Sequence, residues 1–183
     1  VEPVSYVVPR GAVRATASSR DNSASGPENT VNGSVLNGEQ HSTDRDTMWL
    51  SAADNDPWIQ FALDRVYRLD HMHVWNHNTQ TETILGFGIK EALIESSLDG
   101  ENWTEVGTVV LGQGTGMANY VGEDVDLGGV VARYIKITGL SNFSILGLPQ
   151  KGLSEVRFYA MPMRARLESP ATGTLGLDPL VDL

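Results

Sequence analysis

The chain has 183 residues, a formal net charge of −10 and no cysteine. The negative charge argues against a nucleic-acid groove and against electrostatic docking on anionic lipid, because both need a basic surface. The absence of cysteine excludes disulfides, thiol nucleophiles and cysteine-ligated zinc, and no apolar run approaches the about 20 residues that a membrane-spanning helix needs.

Short segments typical of β-strands dominate the chain. They are rich in β-branched and aromatic residues, and clusters of Gly, Asn and Asp separate them. No long helical period is present. Regularly spaced short strands of this kind predict an antiparallel sandwich or barrel. In chain order, the predicted strands are 59–63, 69–75, 92–96, 105–111, 132–138 and 155–160.

The connections 20–48, 76–88 and 141–152 are unusually long. Long ordered loops on a β scaffold are where binding chemistry usually lies.

The tail 161–183 differs in composition, and we predict that it is a linker or the start of a following domain. The alternative is an edge strand that packs back on the sandwich. Because the sequence begins at Val1, we interpret it as a processed or excised piece of a longer protein.

Short motifs follow one another along residues 12–160. Residues 27–33 (Pro-Glu-Asn-Thr-Val-Asn-Gly) and 47–51 (Thr-Met-Trp-Leu-Ser) come first. They precede a Trp-Ile strand within 57–63, an Asp-Gly hairpin that ends in Trp within 94–103, and closing strands at 132–137 and 153–159. In this order, the motifs resemble the discoidin family, also called the coagulation factor V/VIII C-type or galactose-binding-like family.

The resemblance implies an all-β fold, an antiparallel β-sandwich of the jelly-roll type, over residues 1–160. It also implies a non-catalytic module that binds carbohydrate, of the kind found in large secreted bacterial proteins. We therefore expect a monomeric module of a multidomain chain, secreted or at the cell surface, with a glycan or polysaccharide as its partner. The alternative function is protein interaction or cell adhesion.

In this family one structural Ca²⁺ joins the first long loop to the last strand through oxygen ligands, which a hard cation prefers. Asn32 stands where the family usually has Asp, so one negative charge is missing. The segment from Asn32 to Thr47 is longer than usual, and Glu39 or Asp46 is an alternative to Asp44. Carried over residue by residue, the predicted ligands are Asn29, Asn32, Asp44, Thr47, Ser154 and Glu155.

Sugar-binding relatives use the loops at one end of the sandwich. A sugar needs amide, carboxylate or imidazole partners for its hydroxyls and an aromatic face for its C–H surface. The three long connections supply these residue types. The predicted ligand-binding residues are His41, Asn76, His77, Asn78, Phe143 and Gln150.

Strand alternation places His71, His73, Trp75 and His77 on one face. We interpret this face as a polar outer surface with a packed tryptophan. A zinc site is the alternative, but same-face strand residues rarely converge on one ion without an outside ligand.

No catalytic motif is present, and a glycosidase needs two placed carboxylates; the one pair to consider, His77 with Glu82, shares a polar loop. We predict no enzymatic activity for this piece, although the fuller protein could be an enzyme.

A membrane partner is not expected, because loop 18–26 is polar. Apolar residues within 143–148 are the exception, and their exposure would favour a protein or lipid contact.

Overall fold

The computed structural model describes residues 4–163, and the tail beyond Met163 lies outside the described residues. The prediction of an all-β fold is confirmed, because every strand pairing is antiparallel within one eight-stranded sheet. The only α-helix of these residues is the single turn Glu82–Leu85 (α1). Short 3-10 helices lie at Arg10–Ala12, Pro27–Val31 and Arg45–Thr47. The strands are Tyr6–Val7 (β1), Val13–Ala17 (β2), Trp49–Leu50 (β3), Trp58–Asn76 (β4), Glu91–Ser97 (β5), Thr104–Val110 (β6), Glu123–Gly139 (β7) and Gly152–Met161 (β8).

The two long strands, β4 and β7, run through both layers of the sandwich. The first half of β4 pairs with β2 and with the second half of β7, and its second half pairs with β8 and the first half of β7. Register shifts interrupt β4 between Ala62 and Tyr67 and again between Leu69 and His71. Opposite the second shift, Gly128 and Gly129 have φ angles of 63° and 73°, a left-handed conformation that glycine adopts without strain. These bulges let one continuous sheet fold over on itself.

The core fills the space between the layers. Phe61, from the first half of β4, packs edge-to-face on Phe158 of β8, with ring centroids 5.3 Å apart. Such a contact between layers buries a large apolar area in a preferred aromatic geometry. The core also contains the fully buried side chains of Trp49, Met72, Ile59, Ile135 and Ile137. None of the helices within residues 4–163 has the length and apolar character needed to cross a membrane.

Candidate functional site

A cleft of about 460 Å³ opens beyond the end of β4, where the long connections predicted to carry binding chemistry meet. The first connection and the second supply most of its lining, and the third supplies Gln150. β3 contributes Leu50. The lining residues include Asp21, Asn22, Arg45, Leu50, His77, Leu85, Phe87 and Gln150.

His77 lines this cleft from a nearly buried position, with 2% of its surface exposed. Its Nδ1 lies 2.8 Å from Oε2 of Glu82, a fully buried carboxylate. The backbone N–H of Gly88 donates to Oε1 of Glu82 at 2.8 Å. A Cβ atom at position 88 would lie 3.0 Å from that oxygen, so glycine allows this close approach. Among residues 4–163, no group hydrogen-bonds Nε2 of His77, which leaves this nitrogen for a ligand.

The walls of the cleft combine apolar and polar side chains. Phe87 packs edge-to-face on His77, with ring centroids 5.8 Å apart, and also lines the cleft. The side chain of Arg45 is 70% exposed, and its Nε lies 3.8 Å from a carboxylate oxygen of Asp46. Oε1 of Gln150 is buried without a hydrogen-bond partner. The arrangement offers an aromatic surface and hydrogen-bonding groups of both kinds, which suits a polar ligand with an apolar face.

Asn76 and Asn78 were predicted as ligand-binding residues, but the structure places both side chains in the scaffold. Both are fully buried, and neither lines the cleft. The Asn76 amide donates to the carbonyls of Ile89 and Gly112 and accepts from the N–H groups of His77 and Ile89. Asn78 donates to the carbonyl of Met117 and accepts from the N–H of Gly116. Because these amides already have partners, they support the cleft from behind.

His41 and Phe143 also lie away from the cleft lining. His41 is fully buried, its N–H donates to the carbonyl of Tyr120, and its Nδ1 lies 3.0 Å from the carbonyl oxygen of Ser42. Burial lowers the pKa of this imidazole. Phe143 donates its N–H to the carbonyl of Gly86, so its backbone closes the loop after α1. Of the predicted sugar-binding residues, the structure therefore brings His77 and Gln150 to the cleft.

Sequence reasoning missed Asp21, Asn22, Leu50 and Leu85. Asn22 lies in a tight turn in which its side chain accepts from the N–H of Ala24 at 2.9 Å. The residue types of such a turn can be recognised in a sequence, but they do not show which side chains will face the cleft. Leu50 belongs to a strand of two residues, which is too short to show an alternation from which its facing could be inferred.

Two of the predicted calcium ligands, Ser154 and Glu155, are neighbours on β8. This carboxyl is almost completely buried, at 1% exposure, and its Oε2 has no hydrogen-bond partner. Burial raises the pKa of Glu155 to about 8, although Arg10, with its Nε 3.8 Å from Oε1, acts in the opposite direction. The Oγ of Ser154 is likewise buried without a partner. An unpartnered buried carboxylate oxygen fits a cation ligand.

The other predicted calcium ligands make local contacts. Asn29 donates its side-chain amide to the carbonyls of Ala24 and Met48. Asn32 accepts from the N–H of Ser34, Asp44 accepts from the N–H of Asp46, and the Thr47 hydroxyl donates to the carbonyl of Asp44. Glu39, the alternative ligand, instead pairs with Arg157 at 2.9 Å. Within residues 4–163, no three His, Asp or Glu side chains converge as a metal site. A cation at Glu155 would therefore depend largely on neutral oxygens.

The histidines of β4 face away from the cleft. The Nδ1 of His73 lies 2.6 Å from Asp124 and its Nε2 lies 2.6 Å from the carbonyl oxygen of Val121, so neither nitrogen is open to a metal. The His71 ring stacks on Tyr159, with centroids 4.3 Å apart. Trp75 packs beside His73 on this face, as predicted. His77 leaves the face because the register shifts between Trp75 and Asn76.

The comparison with known families agrees with this fold. The family model of the F5/8 type C domain matches residues 14–147. The chain belongs to the F5/8 type C family. This confirms the resemblance to discoidin domains. None of the curated proteins matches the sequence.

Several solved structures share the F5/8 type C fold. CBM32-3 from a family 31 glycoside hydrolase of Clostridium perfringens is 24% identical, with a TM-score of 0.65 over 85% of this chain and 95% of that chain. The family 32 CBM of C. perfringens NanJ, in complex with galactose, is 17% identical, with a TM-score of 0.63 over 85% and 99%. An F5/8 type C domain from Bacteroides fragilis is 16% identical, with a TM-score of 0.63 over 87% and 98%.

Proposed function

We propose that this F5/8 type C domain is a non-catalytic carbohydrate-binding module, and that the sugar binds in the cleft lined by His77. The observation that carries the proposal is the cleft itself, where Phe87 offers a ring and His77 offers a ring nitrogen without a hydrogen-bond partner among the described residues. A galactose-bound structure among the relatives of the same fold supports it. We further propose a monomeric module of a longer secreted or surface chain, where glycans are accessible.

The carboxyl groups in and near the cleft favour binding over catalysis. Hydrolysis of a glycosidic bond needs a pair of carboxyl groups that flank the bond. Among the described residues that line the cleft, Asp21 is the one carboxylate. Glu82 lies behind His77 with both of its oxygens hydrogen-bonded. This arrangement supports a module that holds its ligand without transforming it.

A glycan array on the purified domain tests the proposal, followed by titration of the best glycan against variants. Phe87→Ala should weaken binding about three- to tenfold, because an aromatic contact contributes roughly 0.5–1.5 kcal/mol beyond its buried area. The matched control is Glu105→Gln, an exposed change on β6, which should bind as the parent does. A blank array, or a Phe87→Ala variant with full affinity, would contradict binding in this cleft.

A protein partner is the second candidate function, because a loop near the cleft exposes apolar side chains. Ile145 is 86% exposed and Leu146 is 61% exposed. The loop lies against α1, since the N–H of Phe143 donates to the carbonyl of Gly86. Exposed neighbouring apolar residues are typical of interaction sites. A blank array from a folded domain would favour this function, whereas selective glycan binding that survives Ile145→Ser with Leu146→Ser would disfavour it.

We also propose that a structural Ca²⁺ binds at Glu155, with oxygens of Asn29, Asn32, Thr47 and Ser154 as further candidate ligands. The buried, unpartnered oxygen of Glu155 supports this proposal. Asp44 contributes less to it, because its carboxylate is exposed and accepts from the N–H of Asp46. The ion would offset the cost of burying the Glu155 carboxylate and would join the 3-10 helix Pro27–Val31 to β8.

Chelation is therefore expected to lower the melting temperature. A ligand at 100 times its Kd stabilises the folded state by about 2.7 kcal/mol, which is roughly 5–10 °C for a domain of this size. Scanning calorimetry with 1 mM Ca²⁺ and with excess EDTA measures the difference. The control is Glu155→Gln, whose melting temperature should not respond to Ca²⁺. Identical melting of the parent domain under both conditions would contradict the calcium site.

A further inference from the structure

The Glu82 carboxylate lies behind His77 and is fully buried. Its two oxygens face different partners, the Nδ1 of His77 and the N–H of Gly88, each at 2.8 Å. A backbone N–H is always a donor, so Oε1 must accept. An ionised carboxylate is an acceptor at both oxygens, and Nδ1 of His77 must then carry a proton.

This pairing determines what His77 presents to the cleft. A neutral imidazole has one N–H and one lone pair. With its proton on Nδ1, the ring directs the lone pair of Nε2 towards a ligand, and that nitrogen acts as a hydrogen-bond acceptor. The hydrogen bond that one ring nitrogen makes commonly determines the role of the other.

We propose that Glu82 is a positioning residue: it holds His77 in the Nδ1–H form so that the cleft offers Nε2 as an acceptor to a donating sugar hydroxyl. The sugar as ligand rests on the proposed function, whereas the contact between Glu82 and His77 does not. Gln150 lines the same cleft, but its Oε1 is itself buried, so the acceptor for the sugar hydroxyl is Nε2 of His77. The ligand class that fits this acceptor is a neutral sugar with an available hydroxyl donor.

Nitrogen NMR on the parent domain tests this directly. Long-range ¹H–¹⁵N spectra at pH 8 distinguish the tautomers of a neutral imidazole, and the His77 signals are identified by their absence from His77→Gln. We expect the proton on Nδ1 and a lone pair on Nε2. A proton on Nε2, or a rapid mixture of tautomers, would overturn the inference without any use of a sugar.

Glu82→Gln provides the complementary test. The glutamine oxygen can accept from Gly88, which turns its NH₂ group towards Nδ1 of His77 and should move the imidazole proton to Nε2. We expect this reversed tautomer and about tenfold weaker binding of galactose, because one well-directed hydrogen bond is lost. Glu105→Gln is the matched control and should change neither property.

The outcomes separate the two proposals. A Glu82→Gln domain that keeps the parent tautomer or binds with parent affinity would overturn the positioning role. If the parent domain shows the Nδ1–H form but binds no glycan on the array, the proposed function fails and the positioning of His77 stands. Should Glu82→Gln not fold, the spectrum of the parent domain still decides the tautomer.

Discussion

Replacement of His77 by alanine is expected to lower the free energy of unfolding by about 3–5 kcal/mol, because it leaves the buried carboxylate of Glu82 without its side-chain partner. Glu82 is fully buried, and among the described residues His77 is the only side chain that hydrogen-bonds its carboxylate. Without the imidazole, the carboxylate keeps a single hydrogen bond from Gly88 in a medium that solvates charge poorly. Urea denaturation, followed by tryptophan fluorescence, measures the loss.

The comparison with His77→Gln separates the pair from the packing of the ring. Glutamine can donate its amide N–H to Glu82 and should recover part of the lost stability. The exposed change Glu105→Gln should stay within about 0.5 kcal/mol of the parent, as surface substitutions usually do. If His77→Ala unfolds at the same urea concentration as the parent, the two side chains do not form a buried pair in solution.

Asn76→Ala is expected to destabilise the domain by roughly 3 kcal/mol or more, because it leaves several buried backbone groups without partners at about 1–3 kcal/mol each. The amide bridges the end of β4, the start of the segment at Ile89 and the loop at Gly112. Asn76→Asp should be worse still, since a carboxylate oxygen would then face two carbonyl oxygens. Calorimetry measures the change in melting temperature, at about 2–4 °C per kcal/mol.

The control for Asn76 is Asn119→Ala, an exposed asparagine in the 112–122 loop. It should leave the melting temperature within about 2 °C of the parent. An Asn76→Ala domain of parent stability that loses glycan binding would show instead that the amide contacts the ligand directly. That result would restore the interpretation drawn from sequence.

The F5/8 type C assignment could be made before the structure because its signals are local. Asp99-Gly100 forms the expected hairpin turn, where Gly100 has a φ angle of 82° and Asp99 accepts from the N–H groups of Glu101 and Asn102. The side-chain amide of Asn102, which donates to Asp99 at 2.7 Å, and these two backbone N–H groups hold the pKa of Asp99 well below its usual range. Turn chemistry of this kind depends on neighbours in sequence, so a short motif is sufficient to predict it.

Strand boundaries were partly hidden by irregularities that are not turns. The predicted strands 59–63 and 69–75 are one continuous strand, β4, because Asp64 and Arg65 occupy a register shift within it. The first half of β7 was missed, since Gly128 and Gly129 suggest a turn in sequence but form a bulge in the sheet. A glycine pair has the same local preference in either setting.

The sequence by itself determined the family, the antiparallel sandwich and the three long connections that meet at the cleft. Only the tertiary structure decided which of their polar side chains line the cleft. An asparagine amide has the same donors and acceptors whether it binds a sugar or hydrogen-bonds buried backbone groups. Asn76 and Asn78 do the second. His77 and Gln150 line the cleft instead, and Nε2 of His77 has no hydrogen-bond partner among the described residues. That distinction depends on which donors and acceptors remain after distant segments pack together, which no local pattern contains.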